Sequence, residues 1–258
     1  MKVVKVRARF HWGFVLRQPL YTATQPSTKY PALTSIIGAL SYGLTKLKAL
    51  PETVVSASDI YSTSIEFLKL CSWITYSLEL PSPIMGVFET RDINRILTVL
   101  GIRRQNIYPG SPYLWAIQSH GKIYLPGAPI EVSIFTDEEA LDMVTKSAWL
   151  MVRLGSRESP ISIDEVKMLN VKETTEKEVV TRFITPSELV KVIKGIYDEI
   201  DLPYPNIDWY NLTKIKDPRK YLRKFVIPRE PIKVKVEQGS RVIVDDENDY
   251  YVIPVKTW

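Results

Sequence analysis

The chain has 258 residues, 45% hydrophobic and 24% charged, enough for one large domain or two modest ones around a buried core. Its single cysteine, Cys71, excludes an internal disulfide and a multi-cysteine zinc site. No stretch reaches the roughly 18 continuous apolar residues of a membrane span, and the opening Met1-Lys2-Val3-Val4-Lys5-Val6-Arg7 is too broken by charge for a secretory signal, so a soluble, cytoplasmic protein is expected.

The net charge of +5 hides a strong asymmetry. Before Glu52 the chain carries Lys2, Lys5, Arg7, Arg9, Arg17, Lys29, Lys46 and Lys48 with no Asp or Glu, a local +8. The remainder sets 26 basic against 29 acidic residues, or −3. Segregated positive charge draws polyanions, whether nucleic acid, anionic lipid or an acidic protein.

Residues 3–10 alternate, with Val4, Val6, Ala8 and Phe10 on one face and Lys5, Arg7 and Arg9 on the other, which predicts a half-buried strand with a basic side. Residues 11–33 mix aromatics, prolines and polar groups in a loop too long for a plain connector. There His11 could hydrogen-bond a nucleotide and Trp12 could stack on a base or belong to the core. Thr34 or Ser35 then caps a predicted helix with an apolar stripe at Ile37, Leu40, Leu44 and Leu47. Gly38 and Gly43 sit inside it at about 1 kcal/mol each relative to alanine, so something must approach that backbone closely, a neighbouring sheet being the simplest candidate.

Residues 53–80 read as strands that stop at Pro81 and Pro83. A second helix is predicted at 89–100 from Ile93, Ile96, Leu97 and Leu100, ended by Gly101. Strands follow at Tyr113–Gln118 and Ile130–Phe135 around a glycine- and proline-bearing loop, then a helix from Asp137 to about Leu154 and a turn through Gly155-Ser156-Arg157-Glu158-Ser159-Pro160. Strand near 163–184, a short helix after Pro186, a proline-rich connector at 203–231 and strands at 232–237, 241–245 and 250–255 complete the reading. The order predicts an α+β fold, a ferredoxin-like domain over 1–160 with a smaller β-rich domain over 161–258.

With two histidines, imidazole chemistry is limited. His120, Lys122 and a tyrosine could supply the base, acid and cation of a metal-independent ribonuclease, although Gln118-Ser119-His120-Gly121-Lys122 also reads as a solvated turn. No metal signature and no phosphate-binding glycine motif occurs, so no cofactor is expected. Arg153 with Gly155-Ser156-Arg157 can present backbone N–H groups, a hydroxyl and two guanidinium forks to a phosphate, or can simply be a glycine helix stop.

The run Phe14-Val15-Leu16-Arg17-Gln18-Pro19, a variable loop and Tyr30-Pro31-Ala32-Leu33-Thr34-Ser35-Ile36-Ile37-Gly38-Ala39-Leu40 resembles the amino-terminal signature of the Cas-five family, the crRNA-binding RAMP subunit of type I CRISPR Cascade complexes. Arg153-Leu154-Gly155-Ser156-Arg157-Glu158-Ser159 is similar to that family's leucine-glycine-basic segment. Tyr124-Leu125-Pro126-Gly127-Ala128-Pro129-Ile130 looks like its archaeal type I-A branch.

The resemblance spans about residues 4–160. It implies a non-catalytic subunit in antiviral defence that holds the 5′ handle of the crRNA and caps the backbone filament. Its partners would be the Cas-seven backbone subunit and the Cas-eight large subunit, and it would not be a homo-oligomer by itself. The residues that match the family's motifs are Arg17, Ser35, Gly38, Arg153, Gly155 and Arg157. Arg7, Arg9, His11, Trp12 and Lys29 are added from the charge and loop reading, and Thr34 and Ser156 for their helix-start and turn positions. Two other readings stay open: processing of CRISPR repeat RNA, as in the type I-C branch, with His120 and Lys122; and a scaffold that docks an acidic protein without RNA.

Overall fold

The computed structural model describes residues 1–18, 24–56, 58–97, 115–214 and 217–256. In chain order the strands and helices begin with β1 (Lys2–Phe10), β2 (Gly13–Phe14), β3 (Thr24–Gln25) and α1 (Leu33–Lys48). Then come β4 (Thr53–Ser56), β5 (Asp59–Ser62), α2 (Ser64–Leu68), β6 (Trp73–Leu78), β7 (Glu89–Leu97), β8 (Trp115–Tyr124) and β9 (Pro129–Thr136). After α3 (Leu141–Trp149) run β10 (Ile161–Thr174), β11 (Glu178–Thr181), β12 (Thr185–Pro186), β13 (Val190–Lys194), β14 (Tyr197–Pro203), β15 (Leu222–Pro228), β16 (Ile232–Val236), β17 (Ser240–Asp245) and β18 (Tyr250–Pro254).

The fold is mixed α and β, and rich in strand. A six-stranded antiparallel sheet in the order β18-β17-β10-β1-β9-β6 forms its centre. Among these, β1, α1, β6, β9, α3 and β10 follow one another as β-α-β-β-α-β, with the fourth strand beside the first and the third between the first and the second. Val4, Val6, Ala8 and Phe10 are all buried, as the alternation predicts. Helix α3 packs on β1 and β10, and α1 packs on α3.

The 160/161 division falls at the start of a strand of this same sheet, because β10 is hydrogen-bonded to β1 along nine pairs. Three of the six central strands, β10, β17 and β18, thus come from beyond residue 160. The rest of that region forms two three-stranded sheets, β11-β16-β13 and β12-β15-β14. A second apolar cluster around Val179, Val190, Ile232 and Val234 lies there.

Several local expectations change. The stretch predicted as a helix at 89–100 is strand β7 through Leu97, paired with β8 over nine positions; 98–100 lie outside the described residues. Apolar residues at three- and four-residue spacing are compatible with both structures in a short window, and the long β8 partner decides for extended backbone here. Gln118 to Lys122 is not a turn but the interior of β8. The helix expected over 137–154 is confined to Leu141–Trp149. Met151 and Leu154 reach the core from the turn beyond, where Arg153 bridges Pro160. Short helix α2 interrupts the strands expected over 53–80, and β15 occupies part of the expected 203–231 connector.

Helix α1 starts earlier than predicted. Ala32 is its N-cap, no side chain caps it, and Thr34 and Ser35 lie inside the first turn. Ile36, Ile37, Leu40 and Leu44 are buried, whereas Leu47 is exposed. The two glycines separate. A Cβ at Gly43 would come within 2.4 Å of the Ser147 carbonyl oxygen, so α1 and α3 touch backbone to backbone there, helix on helix rather than helix on sheet. At Gly38 a Cβ would meet nothing within 4 Å.

Candidate nucleic-acid interface

The strand that opens the chain does not present its basic face freely. Lys5 is 4% exposed, with Nζ 2.8 Å from Asp245, 2.8 Å from Glu247 and 2.6 Å from Asp249. Burial opposes its charge, yet the hydrogen bonds to Asp245, Asp249 and Glu247 prevail and raise its pKa above the ordinary lysine value. Arg182 completes the network at 2.7 Å from both Glu131 and Asp249. Arg7 is 3.3 Å from Glu79, and Arg9 is 2.9 Å from Asp164. Much of the amino-terminal +8 is therefore met by carboxylates from later strands and turns, which a count along the sequence cannot show.

A second set of cations has no such partners. Among the described residues Arg17, Arg153 and Arg157 form no ion pair, and all three are exposed. Arg153 lines a cleft of about 330 Å³ between the amino-terminal half of α1 and the turn after α3. Leu16, Ser35, Gly38, Ala39, Tyr42, Val152 and Gly155 form the rest of its wall. Four motif positions, Ser35, Gly38, Arg153 and Gly155, thus meet although more than a hundred residues separate the two pairs. Arg17 follows the cleft residue Leu16 and bridges Ser27.

The turn that carries the arginines is built on Gly155. Its φ is +109°, and a Cβ there would lie 2.8 Å from both the Val15 carbonyl oxygen and Leu16 Cδ2, so the position needs glycine for conformation and for space. The Ser156 amide donates to the Val15 carbonyl at 3.1 Å, and the Val15 amide donates to Ser159 Oγ at 2.9 Å. Segments 15–16 and 153–159 are thereby locked together, and the guanidinium groups are displayed from a fixed backbone. The first turn of α1, which lacks an acidic residue and a side-chain cap, contributes Ser35 to the same cleft.

The other predicted residues are distributed more widely. Thr34 is buried. Ser156 shares a hydrogen bond with Ser159 at 3.3 Å. His11 Nε2 lies 2.7 Å from Ser162 Oγ. Trp12 is half-buried and donates from Nε1 to the Glu158 carbonyl at 2.6 Å, with the Lys122 ammonium 5.7 Å from its ring centroid. Lys29 lines a separate cleft of about 390 Å³ with Gln18, Thr28, Glu89 and Arg91. His120 and Lys122 lie two apart on β8 and share a face; Lys122 is 3.3 Å from Glu158.

The sequence reading missed Tyr42, Val152 and Leu16 as cleft residues. Ser35, Gly38 and Tyr42 sit at i, i+3 and i+7, so a polar stripe opposite the apolar one was available as a signal. Among the described residues no group of three or more His, Cys, Asp or Glu could hold a metal ion, and no helix is long and apolar enough to cross a membrane.

The chain shares its fold with a CRISPR protein. The crystal structure of a CRISPR protein from Archaeoglobus fulgidus matches 99% of this chain and 100% of its own length, with a TM-score of 0.61 at 16% identity. No family model matches the chain. CRISPR-associated protein Cas5 2 of Saccharolobus solfataricus is 26% identical over 264 residues, which cover 99% of this chain and 97% of that protein. CRISPR system aCascade subunit Cas5 1 of the same organism is 26% identical over 190 residues, 73% of each chain. Over nearly its whole length the chain is thus similar to Cas5 proteins of CRISPR systems.

Proposed function

We propose that the protein is a non-catalytic crRNA-binding subunit of a type I Cascade effector. The six-element β-α-β-β-α-β core is read as the ferredoxin-like RAMP domain expected above. The cleft between α1 and the 153–157 turn holds the 5′ handle, with the Cas-seven backbone and Cas-eight large subunits as neighbours in the cytoplasm. One observation carries this reading: Ser35, Gly38, Arg153 and Gly155 line one cleft, flanked by guanidinium groups without carboxylate partners. Phosphates attract such groups through charge, and a single strand leaves its bases free for apolar walls and aromatic rings.

The test is to mix the purified protein with repeat RNA in EDTA and follow binding across a salt series together with cleavage. Binding that weakens with salt is expected, without cleavage. Arg153→Glu with Arg157→Glu should lower the slope of log affinity against log salt by about 1.4, from roughly 0.7 per phosphate contact on a single strand. Arg7→Glu with Arg9→Glu should do less, because those side chains already face Glu79 and Asp164. Cleavage that disappears in His120→Ala would replace this reading with an endoribonuclease. No salt-sensitive binding, even with the backbone subunit present, would leave a protein-docking scaffold.

A further inference from the structure

Gly38 sits in the middle of a helix, where glycine is unfavourable, yet no described atom lies close enough to require it. Its neighbour Gly43 has such a reason in Ser147, and Gly155 has one in Val15 and Leu16. What Gly38 does instead is leave the floor of the cleft open. That cleft has two chemically distinct walls. Leu16, Ala39, Tyr42 and Val152 are apolar or aromatic, and Ser35 and Arg153 are polar.

We propose that this cleft is a pocket for one unstacked nucleobase of the bound RNA, with Gly38 as its floor and Tyr42 as its stacking surface. The inference rests on the RNA-binding reading above and deepens it. A lone phosphate would engage Ser35 and Arg153 but leave the apolar wall of Leu16, Ala39, Tyr42 and Val152 without a partner. A flat base has a π-face for the Tyr42 ring and an edge group for the Ser35 hydroxyl. The volume of about 330 Å³ lies at the lower end of the roughly 300–1,000 Å³ of small-molecule clefts, enough for one base.

Tyr42 suits the task, being 40% exposed with the Lys46 ammonium 5.4 Å from its ring centroid, which restrains the ring at the cleft wall. Ser35, Gly38 and Tyr42 share one helix face, so a base lying along it meets a hydroxyl, an open backbone and a ring in turn. Arg153 and Arg157 then hold the flanking phosphates from the neighbouring turn.

The experiment measures binding of the labelled repeat RNA and of a set in which each member has one abasic nucleotide, to the wild type, Tyr42→Leu and Gly38→Leu. Leucine is favourable on an exposed helix face, and thermal unfolding confirms that each variant folds. For the wild type, one abasic position should cost on the order of tenfold in affinity, within the range of base–aromatic stacking. Both variants should lose about as much on intact RNA and nothing further when that nucleotide is abasic. RNA bound equally well by wild type and variants, or a variant loss equal at every abasic position, would overturn the pocket while leaving the RNA-binding reading intact. No RNA binding by the wild type would overturn both.

Discussion

Lys5→Met should lower the unfolding free energy by about 3–5 kcal/mol, the cost of removing one partner from a buried charge network. The substitution keeps an unbranched side chain of similar length in a nearly inaccessible site, so lost volume contributes little. What remains is a set of carboxylates without their central cation. Asp245 is fully buried and would keep only the Tyr251 hydroxyl at 2.7 Å and the amides of Glu247 and Asp249. Asp249 would retain Arg182.

Because Lys5 is on the first strand and Asp245 to Asp249 join the last two, the network fastens both ends of the chain to one sheet. Urea unfolding at neutral pH measures the effect as a lower midpoint at unchanged slope. A loss below about 1 kcal/mol would mean that solvent screens these pairs as it does at the surface.

The same network has a pH signature. Asp249 is partly buried, which opposes its charge, but hydrogen bonds from Arg182 and Lys5 hold its pKa below the usual value. Hydrogen bonds from Lys5 and Lys167 do the same for Glu247. Groups with lowered pKa values stabilise the fold above their unfolded pKa and lose that contribution as pH falls through the folded one. Lys5, with its raised pKa, contributes fully below its unfolded value of about 10.4 and loses the contribution only as pH rises through the folded value. Glu131 acts in the opposite sense, since burial raises its pKa and its ionisation subtracts stability as pH rises. The gap between wild type and Lys5→Met should be widest near neutrality and should narrow below about pH 4 as Asp249 and Glu247 protonate.

Gly43→Val and Gly38→Ala should shift stability in opposite directions although they lie five residues apart on one helix. At Gly43 the new carbon would come 2.4 Å from the Ser147 carbonyl oxygen and 2.8 Å from its Cα, both backbone atoms that can yield only if α1 and α3 separate. Overpacking of this kind costs about 1–3 kcal/mol. At Gly38 the added methyl meets nothing, and alanine gains about 1 kcal/mol of helix propensity. Thermal melts of the two variants decide the matter. Equal losses would show that the helix tolerates neither side chain and that the cleft at Gly38 is closed in solution.

The alternation Val4, Val6, Ala8, Phe10 determined strand β1 and its buried face, because period-two burial needs nothing beyond neighbouring residues. The spacing of Ile37, Leu40 and Leu44 determined α1 in the same way, and the motif around Pro31 to Leu40 already resembled Cas5 proteins. The strand β7 was not legible: residues 89–97 have a spacing that both periods accept, and the decision came from a partner strand whose paired residues lie 18 to 34 positions further on.

The fate of the charges was likewise beyond the sequence. Lys5, Arg7 and Arg9 form a run of like charge along the chain, but electrostatic energy depends on distance in space, and folding sets Asp245, Glu79 and Asp164 beside them. The cleft follows the same rule. Ser35 and Gly38 were recognisable as one motif and Arg153 and Gly155 as another; their meeting on a common wall depends on α3 packing against α1 through the contact of Gly43 with Ser147. Sequence patterns record local periodicity and residue chemistry, while the juxtaposition of distant segments is settled by backbone packing, and the candidate site exists only at that second level.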